Sequence, residues 1–225
     1  PLVLLPGIWE RWTFLDPLAR ALNGYGHPVH LIAALGNNGM PLDASSALVA
    51  RFLIERGHRR IAMLRSFEGL NPGLERLRGY QRALKEAGIP FDERLIRSTG
   101  LSAESVIAGT HFLLAQEGVT ALIDSSGMED GESLREGAAR AGKRLGREGI
   151  ELVAWSYQKD MAVCTEASAH VWLPMRESAR EGIMMLADRI YGRAEGPIRV
   201  VYPPVLQDYP IGQLLPTPKR FFYQE

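Results

Sequence analysis

The stretch LVARFLIERGHRRIAML, residues 48–64, joins one helix to one strand. Its first half places four apolar residues on one face of a helix: Leu48, Val49, Phe52 and Leu53. Gly57 then ends the helix, and residues 61–64 form a short apolar run typical of a buried strand. A helix followed so closely by a fully apolar strand indicates an α/β domain with a parallel sheet.

The same alternation continues in both directions from this stretch. Upstream, apolar runs at residues 2–5 and 28–32 flank a helix that starts at Asp16. Downstream, further short apolar runs follow at residues 95–96, 121–123, 152–155, 171–173 and 198–201, and a charged helix is predicted for residues 132–147. The pattern predicts eight strands and six helices in doubly wound parallel sheets, with ligands at the carboxyl ends of the strands.

Composition excludes several classes of protein. The 225 residues carry 26 basic and 26 acidic side chains and are 46% hydrophobic, which excludes a disordered chain and disfavours a free-standing nucleic-acid binder. A single cysteine, Cys164, excludes a disulfide framework, and the histidines lack metal-ligand spacing. We therefore expect no metal and no cofactor. No apolar stretch approaches the roughly 18 residues of a membrane helix.

Several short motifs occur in a fixed order along the chain. After the opening stretch come RLRGY at residues 76–80, EAGIP at 86–90, PMRE at 174–177 and YPPVL at 202–206. Together they resemble the effector-binding domain of LacI-family transcriptional regulators over nearly the whole chain. The resemblance implies a type I periplasmic-binding-protein-like fold, in which two α/β subdomains are joined by three crossovers and a ligand binds in the cleft.

The resemblance also implies a division of the chain. Residues 1–40 plus 174–201 would form the N-terminal subdomain, and residues 41–173 plus 202–225 the C-terminal subdomain and tail. The helix-turn-helix and the first two strands of the family's effector domain are absent from this sequence. We therefore expect the first subdomain to be incomplete at its N-terminus, and the chain to be a fragment or the ordered part of a longer protein.

Partners and location follow from the same resemblance. Family members are usually homodimers in the cytoplasm whose affinity for DNA changes when a small molecule binds. This implies an effector that is a sugar-like or anionic metabolite, operator DNA bound through a domain outside this chain, a homodimer, and no association with a membrane.

Candidate ligand-binding residues follow the predicted strand ends. Arg76 corresponds to the family's effector-contacting arginine, whose guanidinium can hold hydroxyls or a carboxylate through two hydrogen bonds. Three serines and three tryptophans complete the candidates, as hydrogen-bonding groups and aromatic walls respectively: Ser125, Ser126, Ser156, Trp155, Trp172 and Trp9.

Two segments depart from the family's pattern. DSSGME at residues 124–129 and AWSY at 154–157 have Ser126 and Ser156 where the family has aspartates that accept bonds from sugar hydroxyls. Because two acceptor charges are lost while Arg76 remains, the sequence predicts an anionic or less hydroxylated effector rather than a neutral hexose.

Two alternatives stay open from the sequence. The opening run at residues 2–7 is similar to the first strand and oxyanion turn of an α/β-hydrolase, although no G-x-S-x-G elbow for a nucleophilic serine occurs. The second alternative is an extracytoplasmic solute-binding receptor of the same fold. Residues upstream of Pro1 would separate it from a regulator, since a receptor requires a secretion signal.

Overall fold

The computed structural model describes residues 2–4, 16–26, 29–31, 42–65, 71–100, 102–126, 130–156, 166–172, 175–193 and 205–208. The elements in chain order are β1 (Leu2–Leu4), α1 (Asp16–Gly24), β2 (Val29–Leu31), α2 (Leu42–Glu55), β3 (Ile61–Arg65), α3 (Asn71–Glu86), β4 (Ile96–Ser98), α4 (Ala103–Leu114), β5 (Ala121–Ser125), α5 (Gly131–Arg140), β6 (Glu151–Ser156), β7 (Ala167–Trp172), α6 (Met175–Ile190) and β8 (Val205–Asp208). The chain divides into two compact units: unit 1 is Pro1–Pro41 with Met175–Pro203, and unit 2 is Leu42–Pro174 with Pro204–Glu225.

The described residues of unit 1 form two strands and two helices. Strands β1 and β2 pair in parallel, with Leu2 opposite Val29, and α1 connects them. Helix α6 follows β7 in the chain, and its Ile183 and Ile190 are 60% and 58% exposed. The strand predicted at residues 198–201 lies outside the described residues.

Unit 2 is built on a six-stranded sheet in the order β4-β3-β5-β6-β7-β8. All neighbouring strands are parallel except β7 and β8, so the predicted doubly wound α/β class is confirmed and a wholly parallel sheet is wrong. The exception lies at an edge, where the chain re-enters unit 2 at Pro204 after unit 1 and needs no helical crossover. Antiparallel edge strands on otherwise parallel sheets are common.

The main core lies between one face of this sheet and helices α4 and α5. Alternate strand residues supply the sheet side: Ala62, Leu64, Leu122, Leu152 and Ala154. The helices contribute buried apolar side chains at helical spacing: Val106, Leu113, Leu114, Leu134 and Ala138. This packing fixes strands β3, β5 and β6 relative to one another, and their carboxyl ends therefore form a rigid edge.

Helices α2 and α3 cover the other face and approach each other closely. A Cβ added to Gly79 would lie 2.0 Å from the carbonyl oxygen of Asp43 in α2, so only glycine fits there. The next residue, Tyr80, is buried and donates its hydroxyl to the carbonyl of Ile61 at 2.8 Å. The glycine and tyrosine of the RLRGY motif thus seat α3 against both α2 and β3.

Helix α5 is shorter than the sequence predicted. The charged helix was expected to extend over residues 132–147, but it ends at Arg140. Gly142 adopts a φ of +67°, and Lys143 N–H donates to the carbonyl of Ala138 at 2.9 Å. This is the Schellman arrangement of a helix C-terminus, which the run of charged residues obscured.

The amino-terminal edge of the sheet carries a buried ionic cluster. The carboxylate of Glu151, at the start of β6, accepts from Nε of Arg56 and lies 2.7 Å from Nε2 of His58. The other ring nitrogen of His58 lies 2.9 Å from the hydroxyl of Thr120. Burial alone would raise the pKa of Glu151, but hydrogen bonds from His58 and Ser168 and the charge of Arg56 outweigh it and hold this pKa below its ordinary value.

Replacing Gly79 by alanine tests the close packing of α2 on α3. Because the added methyl would meet backbone atoms of Asp43, the helices must separate, and we expect a loss of about 2 kcal/mol or more in the free energy of unfolding. Urea unfolding followed by circular dichroism measures it. Gly182→Ala in α6 is the control, because its added Cβ would meet no described residue within 4 Å. Equal stability of Gly79→Ala and the parent chain would contradict the packing.

The Glu151 cluster predicts a pH dependence of stability. A lowered carboxyl pKa stabilises the fold above the ordinary value of 4.5, and that contribution is lost as pH falls through the folded value. Glu151→Gln should therefore cost about 1–3 kcal/mol at neutral pH and progressively less in acid. Thermal unfolding at several pH values measures the difference. Glu86→Gln, at an exposed ion pair with Arg51, should change little, and a pH-independent deficit of Glu151→Gln would refute the assignment.

Candidate functional site

The candidate site lies where the strand order of unit 2 reverses. Helix α3 leads from β3 outward to β4, and α4 then leads back past β3 to β5. In doubly wound sheets this reversal opens a crevice between the carboxyl ends of the two central strands, which are β3 and β5 here. Arg65 and Ser125 end these strands and are partners in register.

Arg76 of α3 lies over this edge and is buried. Its side chain is 5% exposed, and Nη1 donates to the carbonyl oxygen of Ser125 at 2.6 Å. Its guanidinium carbon lies 5.2 Å from the centre of the Trp155 ring, within range of a cation–π contact. The structure therefore brings together three predicted site residues, one each from α3, β5 and β6.

Ser125 and Trp155 are both enclosed. The Ser125 hydroxyl donates to the carbonyl of Leu64 at 2.9 Å, and the residue has no exposed surface. Trp155 is 1% exposed, and its indole nitrogen has no hydrogen-bond partner among the described residues. Ser125 thus ties β5 to β3, while Trp155 supports the guanidinium of Arg76.

Ser126 follows β5 and is coupled to an aspartate that sequence reasoning missed. Its backbone N–H donates to Oδ1 of Asp124 at 3.0 Å, and both residues are buried. Burial raises the pKa of Asp124 above its ordinary value, against the opposing effects of the Ser126 hydrogen bonds and the charge of Arg76. A lone aspartate in the apolar run at residues 121–124 was the available signal.

Arg65 is the second residue that sequence reasoning missed. It is the last residue of β3 and is 9% exposed, and its carbonyl oxygen accepts from the N–H of Thr99 at 2.9 Å. The signal in the sequence was an arginine placed directly after the apolar run at residues 61–64.

The remaining predicted residues lie on β6 and β7 or outside the described residues. Ser156 and Trp172 are partners in register at the ends of β6 and β7, and Trp172 is partly exposed. The backbone of Ser156 is described but its side chain is not, and Trp9 lies outside the described residues. Their roles stay predictions.

Neither a metal cluster nor a membrane-spanning helix occurs in the part of the chain that the structure describes. Within these ranges, no group of three or more His, Cys, Asp or Glu side chains could hold a metal ion. Likewise, none of the helices described here is long and apolar enough to cross a membrane.

The fold and the position of these residues define a doubly wound α/β domain of the class whose ligands bind at a topological switch point. A family model described as a periplasmic binding protein-like domain matches residues 50–207. Because this match spans more than half of the chain, the chain belongs to that family. The resemblance to the effector-binding domain of LacI-type regulators is thereby confirmed, together with the predicted fold.

Named relatives are transcriptional regulators. The chain is 33% identical to the HTH-type transcriptional regulator CelR of Thermobifida fusca over 66% of its own length and 44% of the relative. It is 28% identical to the HTH-type transcriptional repressor PurR of Yersinia pestis strain Pestoides F, over 71% and 46%. The solved transcriptional regulator CelR–cellobiose complex is 26% identical with a TM-score of 0.66, covering 92% of this chain and 63% of that chain. The chain spans about half the length of the curated relatives it matches.

Asp124 predicts a second pH effect, opposite in sign to that of Glu151. A carboxyl whose folded pKa is raised disfavours the fold once pH exceeds its ordinary value of 3.8, because the unfolded chain ionises more readily. Asp124→Asn should therefore raise the melting temperature at neutral pH, and the gain should shrink as pH falls toward 3.8.

Asp92→Asn provides the matched control for this measurement. A side-chain hydrogen bond from Arg94 lowers the pKa of Asp92 to about 2, so the same substitution there should lower the melting temperature at neutral pH. If Asp124→Asn were destabilising at every pH, the assignment of a raised pKa to Asp124 would be wrong.

Proposed function

We propose that the whole protein is a homodimeric LacI-type transcriptional regulator that acts in the cytoplasm. This chain binds a small-molecule effector, and a domain outside it binds operator DNA. The observation that carries the proposal is Arg76, which the RLRGY motif places in a buried position at the switch point against Ser125 and Trp155. The names of the relatives, both HTH-type regulators, support the DNA-binding role.

The proposed effector site keeps the residues that the sequence predicted. Arg76 supplies donors and Trp155 an aromatic face beneath them, while Ser125 holds the edge in place. The proposed set of ligand-binding residues is Arg76, Ser125, Ser126, Trp155, Ser156, Trp172 and Trp9. A division into residues 1–40 plus 174–201 and residues 41–173 plus 202–225 is part of the proposal, and it is supported by the two compact units.

The homodimer is supported by exposed apolar residues of unit 1. Ile183, Met184 and Ile190 of α6 and the adjoining Tyr191 lie at helical spacing along one stripe and are between 58% and 72% exposed. Apolar stripes of this kind are typical of protein–protein contact surfaces.

The hydrolase alternative finds no support at its nearest serine. In the DSSG segment, the Ser125 hydroxyl is already donated to the carbonyl of Leu64 and lies on a strand rather than at a helix N-terminus. A nucleophilic serine instead needs its hydroxyl directed at a base. Our proposal therefore includes no catalytic step.

Regulation follows from linkage. If an effector changes the affinity of the protein for operator DNA by some factor, operator DNA must change the affinity for effector by the same factor. A coupling of about 5- to 150-fold is typical of allosteric proteins. In this scheme the effector binds at the carboxyl ends of β3 and β5.

Binding measurements on the full-length protein test the proposal. DNA selected from a random-sequence pool by the protein serves as operator, and cellobiose, glucose 6-phosphate and gluconate serve as probe ligands. We expect at least one probe to change the dissociation constant for DNA. Arg76→Lys keeps the charge but loses the planar guanidinium, and it should weaken binding of that probe about tenfold or more.

Arg78→Lys is the matched control, because Arg78 lies two residues beyond Arg76 on the same helix and its side chain is 67% exposed. It should bind probe and DNA like the parent protein. A protein that binds a probe but never DNA would favour the solute-binding receptor. Binding of both without mutual influence would contradict the regulatory mechanism.

A further inference from the structure

Arg65 is a buried cation for which the described residues supply no acceptor. Its side chain is 9% exposed, and its Nε and Nη1 atoms are enclosed without a hydrogen-bond partner. Other arginines of unit 2 are paired: Arg56 with Glu151, Arg82 with Asp43 and Arg94 with Asp92. Because an unpaired buried guanidinium is costly, such a group calls for an acceptor beyond the described residues, and a bound ligand can supply it.

The position of Arg65 is fixed by its backbone. Its carbonyl oxygen accepts from both the N–H and the hydroxyl of Thr99, at 2.9 and 3.3 Å, on the β4 side. On the other side it pairs in register with Ser125, whose hydroxyl holds the preceding carbonyl of Leu64. The arginine is therefore held at the strand end by both neighbouring strands.

Arg65 and Arg76 lie on the same face of the sheet. Strand alternation and register place Arg65, Ser125 and Trp155 on the same face. Arg76 reaches that face from α3, where it contacts the backbone of Ser125 and the ring of Trp155. Arg65 and the guanidinium of Arg76 are thus on the same face of the sheet at the switch point.

The buried carboxylate of this region belongs to Asp124. Asp124 lies on the opposite face by alternation, and its Oδ1 accepts a hydrogen bond from the backbone N–H of Ser126. Asp130 lies close enough to Asp124 to raise its pKa, but neither carboxylate forms a hydrogen bond with Arg65 among the described residues. The amino termini of α3, α4 and α5, which follow strands β3, β4 and β5, add positive dipole ends to the same edge.

We infer that the effector of this site carries a negatively charged oxygen group, a carboxylate or a phosphate, and that Arg65 binds it. The inference rests on the proposed function and specifies the class of effector. A neutral sugar would accept hydrogen bonds from Arg65 but leave its buried charge uncompensated. An anionic group accepts the same hydrogen bonds and also compensates the charge.

Matched anionic and neutral probes test this assignment on the whole chain at constant ionic strength. Inorganic phosphate and acetate report on the group alone, and glucose, glucose 6-phosphate and gluconate compare a neutral sugar with its phosphate and carboxylate forms. We expect at least one anionic probe to raise the melting temperature saturably, and glucose to have no such effect. The comparison of glucose 6-phosphate with gluconate distinguishes a phosphate from a carboxylate.

Three variants test whether Arg65 itself binds the anionic group. Arg65→Gln should weaken binding of the stabilising anionic probe at least about tenfold, and Arg65→Lys should weaken this binding less. Arg144→Gln, the same change at an exposed arginine, should match the parent chain. Without any probe, Arg65→Gln should be at least as stable as the parent, because it removes a buried charge without an acceptor. A purely structural role for Arg65 would make that variant less stable.

The remaining outcomes overturn the inference in different ways. Equal anion binding by the parent chain and Arg65→Gln would indicate an adventitious ion only. Binding of glucose with no response to any anionic probe would overturn the anionic effector but leave the proposed effector-binding function standing. No stabilisation by any anionic probe also overturns the inference, while DNA linkage in the full-length protein would still decide the proposed function separately.

Discussion

The hydrogen bond from Arg76 to the carbonyl of Ser125 is the contact on which the candidate site depends. It joins α3 to the end of β5, and the hydroxyl of the same serine joins β5 to β3. One helix and two strands are therefore held together by one residue. This arrangement is possible because Gly79 and Tyr80, a few residues further along α3, seat the helix against α2 and β3 at a fixed distance.

Much of this arrangement could be predicted from the sequence. Apolar runs separated by helical spacing identified the strands and the α/β class, and the resemblance of the RLRGY motif to the family's pattern identified Arg76 as a candidate effector contact. Arg65 and Asp124 were missed because a single charge at the end of an apolar run is as compatible with a solvated turn as with a buried position. Only the packing of the folded domain shows that these charges are buried. Strand β8 was not predicted at all, because Val205–Asp208 has only two apolar residues, and its antiparallel pairing was missed with it.

The amino-terminal and carboxyl-terminal edges of the unit 2 sheet differ in whether a buried charge is compensated within the chain. At the amino-terminal edge, Glu151 is surrounded by Arg56 and His58, so its charge is compensated within the chain. At the carboxyl-terminal edge, Arg65 has no such acceptor among the described residues. Compensation within the chain stabilises a fold, whereas uncompensated charge leaves interaction energy available for a ligand. Function is therefore expected at the second edge.

The antiparallel pair β7–β8 has a consequence for how the chain is assembled. Trp172, the last residue of β7, lies directly opposite Val205, the first residue of β8. In an ordinary β-hairpin these positions would be joined by a tight turn, but here the entire α6 segment of unit 1 is inserted at the hairpin tip. The sheet can thus be completed only after the ribosome has released α6, and closing this long loop carries an entropic cost that a simple hairpin avoids. Unit 2 is thus one compact body built from two separate stretches of the chain.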